Sequence, residues 1–186
     1  MRKEYAKLRR RPLLAPVWLA ALAAALCIAF AVWLFAAAST TTIIVMRHAE
    51  KAALPADDPP LSPAGQAMAE NLAELFGRAP PDFRIQAIFV SELRRTQDTA
   101  QPLANRLGVP VIVVPAADAE LVAERALDEY RGGRVLIVGH SDTVPEIVRR
   151  LSGQPVPAMV ETEYGIVYFV ALPRFSRPVV TRFDLP

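Results

Sequence analysis

Two histidines, His48 and His140, are the only imidazoles in the chain. Each follows a β-branched run at once: TTIIVM and Arg47 lead into His48, and VLIVG leads into His140. A neutral imidazole nitrogen can attack phosphorus directly, provided the other ring nitrogen is fixed by a hydrogen bond and the phosphoryl charge is neutralised. Arginine supplies that neutralisation, because its planar fork stays charged and matches phosphate oxygens. A lone histidine is more often structural. Two at equivalent strand ends, one beside an arginine, point to a shared pocket and phosphoryl chemistry.

Several alternatives fail on residue types. Cys27 is the only cysteine and lies in an apolar run, so neither an intrachain disulfide nor a thiolate metal site is available. A metallophosphatase needs clustered His and Asp ligands, and two histidines already committed leave too few. No nucleophile-elbow motif supports Ser141 as a hydrolase serine. No metal and no cofactor are therefore expected. The net charge is only +2, and the densest basic cluster, Arg2, Lys3, Lys7, Arg9, Arg10 and Arg11, is confined to residues 1–12, too local for a nucleic-acid surface.

The elements that must position these groups follow from pattern and punctuation. Residues 41–46 predict a buried strand, 51–60 are a Pro- and Asp-rich loop, and Ser62-Pro63 opens a helix that runs to Gly77. A second strand is expected at 85–90 with a helix opening at Ser91, then a third at 111–114 with a helix over 118–131. After Gly132-Gly133 a fourth strand spans 135–138, and Thr143-Val-Pro-Glu146 reads as a capping box opening a helix that ends near Gly153. Apolar runs at 166–172 and 179–183 should pair antiparallel. Strand–helix alternation of this kind predicts a three-layer α/β sandwich with a mainly parallel central sheet. Ligands in such sheets bind beyond the carboxyl ends of the strands, where Arg47, His48 and His140 fall.

Four ordered elements carry a family resemblance. Arg47-His48-Ala49-Glu50, Leu61-Ser62-Pro63-Ala64-Gly65, the stretch from Ser91 through Leu93, Arg95 and Thr99 to Ala100, and Gly139-His140-Ser141 together resemble the signature of the histidine phosphatase (phosphoglycerate mutase-like) superfamily, in its small bacterial RHAE/GHS form. The resemblance implies a phosphoglycerate mutase-like fold over residues 39–186. It implies His48 as a transiently phosphorylated nucleophile, Arg47 and Arg95 as phosphate clamps, His140 as a further phosphate donor and Ser141 among the substrate-binding groups. A metal-independent phosphoric monoester hydrolase is the expected activity, and a catalytically silent phosphate-binding or scaffold domain is the alternative.

Arg94 competes with Arg95 for the second clamp. Both lie about 130° from the apolar face of their helix, so the wheel leaves the choice open and only the motif spacing favours Arg95. The general acid departs from the family pattern, because Ser141 follows His140 directly. Asp142, one place late, and Asp118 and Glu120, after the third strand, are the candidate proton donors, with exposed helix starts as their competing reading.

Ahead of the domain, residues 13–38 contain no charge, and about 26 helical residues would reach roughly 39 Å, enough to cross a ~30 Å hydrocarbon core. With the basic tail before it, this segment is expected to be a signal-anchor: 1–12 cytoplasmic, 13–38 crossing a bacterial inner membrane once, 39–186 periplasmic. A cleavable signal peptide ending near Ser39 is the competing reading. The expected partners are a small-molecule or envelope phosphorylated substrate and the membrane itself, with no nucleic acid.

Overall fold

The computed structural model describes residues 17–37 and 40–185, which form two compact units divided at Ala37 and Ala38. The basic tail 1–12, the start of the expected span at 13–16, its end at 38 and the expected first residue of the domain, 39, lie outside the described residues. The first unit contains helix α1 (Val17–Ala37), without a charged residue. Its 21 residues rise about 32 Å, so by length and composition it can cross a bilayer.

The second unit is built on six strands: β1 (Thr40–Arg47), β2 (Ala87–Val90), β3 (Val111–Val113), β4 (Arg134–Gly139), β5 (Ile166–Pro173) and β6 (Val179–Asp184), in the order β3-β2-β4-β1-β5-β6. The first four in that order run parallel, while β5 pairs antiparallel with β1 and β6 with β5. Buried on both faces, the central strands read as unbroken apolar runs rather than alternating ones. One face of the sheet, with Ile43, Val45, Phe89 and Ile137, packs against helices α4 (Ala119–Glu129) and α5 (Thr143–Ser152). The opposite face, with Ile44, Met46, Ile88 and Leu136, packs against α2 (Pro63–Gly77) and α3 (Arg94–Leu107). The result is the expected three-layer α/β sandwich.

Register decides what meets at the carboxyl edge. Arg47 on β1 lies opposite Gly139 on β4, and the His48 amide donates to the Gly139 carbonyl at 3.0 Å. The residues after each strand end, His48 and His140, are thereby forced side by side.

Helix starts differ from the sequence expectation at two places, for stated reasons. α3 begins at Arg94 rather than Ser91, because the Ser91 hydroxyl is engaged with Thr96, His140 and the Leu93 amide. The expected capping box at Thr143 does not form. Asp142 is the N-cap and accepts from the Thr143 amide, Thr143 Oγ1 accepts from the His140 amide at 3.0 Å, and the Glu146 carboxylate turns outward to Arg149 and Arg150. α2 begins as expected, with Ser62 accepting from the Gly65 amide.

Candidate active site

His48 is 2% exposed and its ring is fixed from one side. Nδ1 lies 2.7 Å from the Ala49 carbonyl, which can only accept, so Nδ1 carries the proton and Nε2 the lone pair. Burial, reinforced by the charges of His140, Arg47 and Arg95, lowers the imidazole pKa to about 3, against the opposing hydrogen bond to Ala49. The ring is therefore neutral at physiological pH, the protonation state that a nucleophile requires.

Arg95, in the first turn of α3, donates from Nε to His48 Nε2 at 3.2 Å. Thr99, one turn later, accepts from the Ala49 amide at 3.0 Å and donates to the Arg95 carbonyl at 2.7 Å, tying the start of α3 to the loop after His48. Arg94 turns away: its guanidinium pairs with Asp98 at 3.4 Å on the surface, and its amide donates to Asp58. Of the two arginines that helical periodicity left undecided, Arg95 stands beside His48 and Arg94 does not.

Arg47 is 3% exposed and is held by a loop more than a hundred positions away. Its Nη1 donates to the carbonyls of Val160 (3.0 Å), Glu161 (2.7 Å) and Glu163 (3.1 Å), and its guanidinium carbon lies 4.5 Å from the centroid of the Tyr164 ring. Backbone carbonyls thus orient the cation without cancelling its charge, and cation–π contact with Tyr164 adds to that. The same Tyr164 ring lies 6.2 Å from that of His48.

His140 packs edge-on to His48 with ring centroids 5.4 Å apart, and its Nε2 lies 3.0 Å from Ser91 Oγ. Burial and then the charge of Arg95 lower its pKa to about 4, so it too is neutral near pH 7. His140 Nδ1 and Arg47 Nε are buried without a hydrogen-bond partner among the described residues.

These groups line one cavity of about 370 Å³, bordered by Arg47, His48, Arg95, His140, Ser141 and Asp142, with Lys51, Leu93 and Glu161 also on its wall. Three cations against two carboxylates, around two neutral imidazoles, make a site for an anion. Among the described residues, no group of three or more His, Cys, Asp or Glu side chains could hold a metal ion.

The candidate acids fare differently. Asp118 caps α4 by accepting from the Leu121 amide at 2.9 Å, and it borders a separate, narrower cavity rather than the one containing His48. Glu120 pairs on the surface with Arg150 at 3.0 Å. Asp142 reaches the cavity wall, yet its carboxylate accepts from the Thr143 amide at 2.8 Å. Sequence reasoning missed Lys51, Glu161, Tyr164 and the role of Ser91. Lys51 was findable as a cation following the strand-end motif, whereas Tyr164 reaches the site only through a loop with no motif of its own.

Residues 43–119 match the family model of the Histidine phosphatase superfamily (branch 1). No curated protein matches the chain. Solved structures with the same fold include the protein histidine phosphatase SixA complexed with tungstate, 20% identical, covering 77% of this chain and 96% of that one with a TM-score of 0.63. Mycobacterial glucosyl-3-phosphoglycerate phosphatase is 18% identical, with coverage of 79% and 100% and a TM-score of 0.61. Bacillus stearothermophilus YhfR is 16% identical, with coverage of 78% and 98% and a TM-score of 0.62. At such identities the likeness is one of fold. The family match over residues 43–119 takes in Arg47, His48 and Arg95, which converge with His140 on one cavity.

Proposed function

We propose that the chain is a phosphatase that hydrolyses a phosphomonoester or a related phosphoryl group in two steps through a phosphohistidine on His48. The match of residues 43–119 to the superfamily model supports phosphatase activity in general. The observation that carries the finer reading is the state of His48, whose Nδ1–H is committed to the Ala49 carbonyl while the Nε2 lone pair faces Arg95.

In the first step an incoming phosphoryl oxygen takes over the Arg95 N–H, freeing Nε2 to attack phosphorus. The N–P bond forms as the bond to the leaving oxygen breaks, and that oxygen departs with the electron pair. Arg47, Arg95 and His140 stabilise the charge on the transferring group. In the second step water attacks the phosphohistidine, the N–P bond breaks, Nε2 recovers its lone pair, and phosphate and a proton are released. Ser141, on the same wall, is a further substrate contact.

Rapid quench with labelled substrate tests this reading. An acid-labile, base-stable adduct is expected on the native protein and none on His48→Ala. Turnover of His48→Ala near the native rate overturns it, and failure of the native protein to turn over any ester in a phosphate panel favours a silent phosphate-binding domain.

For location, we propose that α1 is an uncleaved single-pass anchor that holds residues 39–186 on the outer side of a bacterial inner membrane, where a small-molecule or envelope phosphate ester would be the substrate. The uncharged helix and the basic residues ahead of it support this. Protease added to spheroplasts should digest the domain and leave a membrane-held N-terminal fragment. A protected domain reverses the topology, and a mature form starting near Ser39 replaces the anchor with a signal peptide.

A further inference from the structure

We infer that Ser91 is a positioning residue that donates its hydroxyl proton to His140 Nε2 and thereby holds His140 with its proton on Nδ1, the nitrogen left to meet the phosphoryl oxygen. The inference rests on the phosphatase reading and deepens it by assigning the protons of the second histidine.

Few protons are shared among the acceptors of this buried cluster. Ser91 is 4% exposed and His140 8%, so neither can turn to bulk water. Thr96 Oγ1 has one proton, and its shortest acceptor is the Leu93 carbonyl at 2.8 Å, ahead of the Ser91 carbonyl at 3.2 Å. The same oxygen already accepts from the Ser91 amide at 3.1 Å. Ser91 Oγ accepts from the Leu93 amide at 3.2 Å. The Ser91 proton then has two destinations, Thr96 Oγ1 at 2.9 Å and His140 Nε2 at 3.0 Å.

The imidazole decides between them. His140 is neutral near pH 7 and carries one N–H. With Nε2 turned to Ser91, Nδ1 is the ring nitrogen left buried without a protein partner among the described residues, on a side chain that lines the cavity. Were the proton on Nε2, Nδ1 would present a lone pair to the anion, with no donor to satisfy it. With the proton on Nδ1, the same atom becomes a hydrogen-bond donor, but Nε2 is then a bare acceptor and requires Ser91 as its donor. Two further contacts fix the geometry: the His140 amide to Thr143 Oγ1 at 3.0 Å, and the Val144 amide to the His140 carbonyl at 3.0 Å.

Two-bond ¹H–¹⁵N spectra of the full-length ¹⁵N-labelled protein in detergent micelles read the tautomers directly. The chain has only two imidazoles, so a His48→Ala spectrum assigns both. With inorganic phosphate bound, His140 is expected with Nδ1 protonated and Nε2 bare. Ser91→Ala should mix the tautomers and weaken inhibition by inorganic phosphate about tenfold, the effect of roughly one hydrogen bond, and Ser91→Thr should restore both. Phosphate-loaded native protein with the proton on Nε2 overturns the inference, as does a Ser91→Ala protein in which neither tautomer nor inhibition changes. The spectra need no turnover, so an inactive native protein would sink the phosphatase reading and leave this one still decided.

Discussion

Nε of Arg95 lies 3.2 Å from Nε2 of His48, while the neighbouring Arg94 is paired with Asp98 at the surface. If that geometry positions the phosphoryl group, Arg95→Ala should lower kcat/KM by about 10²–10³, the usual loss on removing one charge-stabilising donor. Arg94→Ala should leave it nearly unchanged, since the Arg94 guanidinium is paired with Asp98 at the surface. Steady-state kinetics on one aryl phosphate check both, and equal losses would undo the assignment.

The two histidines make a distinctive pH dependence. With pKa values lowered to about 3 for His48 and about 4 for His140, both rings stay neutral far below the ordinary imidazole value of 6.5. After correction for the substrate's own ionisation, kcat/KM should hold level from pH 7 to about pH 5 and fall as protonation passes through 4 and 3. Stability follows the opposite window. The unfolded chain takes up protons below about 6.5 while the folded rings resist, so each ring costs stability progressively as the pH falls from 6.5 towards its folded value. Melting temperature should drop between pH 6.5 and 4 while catalysis persists, and a rate that already halves near 6.5 contradicts the buried neutral pair.

Gly65 offers a packing test of the loop that follows His48. A Cβ there would collide with the Glu50 carbonyl oxygen, and the Ser62 amide donates to that same oxygen at 2.9 Å. Gly65→Ala must displace backbone, so a loss of about 1–3 kcal/mol is expected. Denaturant unfolding measures that loss. Since Glu50 is two residues from His48, kcat should fall with it even at temperatures where the variant is folded.

Chelation tests the chemistry rather than the fold. In the proposed mechanism imidazole and guanidinium groups carry out the charge stabilisation that a cation would otherwise supply. Activity is expected to survive dialysis against EDTA. Loss on dialysis with recovery on adding a divalent ion would favour a metal-assisted route.

The site was legible where local pattern and register coincide. β-Branched runs ending at His48 and His140 announced parallel strands, and parallel pairing of β1 with β4 was enough to bring both rings together. Arg95 was less legible, because periodicity describes which face of a helix packs and not which way its first turn looks. What holds Arg47 was illegible: its acceptors are main-chain carbonyls at Val160, Glu161 and Glu163, and any sequence supplies carbonyls. Thr143 misled for a related reason, since a capping-box pattern does not say that the hydroxyl is needed by the His140 amide.

The last prediction concerns the proton for the leaving group. Asp118 and Asp142 cap helices and Glu120 pairs with Arg150, so each candidate carboxylate has a structural partner. Glu161, on the cavity wall, is a fourth, and its carboxylate makes no hydrogen bond among the described residues. If none of the four reaches the leaving oxygen, the group must depart largely unprotonated through a loose transition state that places charge on that oxygen. The rate would then depend steeply on leaving-group pKa and favour acyl phosphates, pyrophosphates or phosphoramidates. Measured as kcat/KM over a series of aryl and alkyl phosphates, the slope should be steep in the native protein and unchanged by amide replacement at Asp118, Glu120 or Asp142. Glu161→Gln is the decisive variant. A shallow native slope that steepens in Glu161→Gln, with alkyl phosphates losing about 10²–10⁴ in rate, would identify Glu161 as the donor and sink the acid-free mechanism.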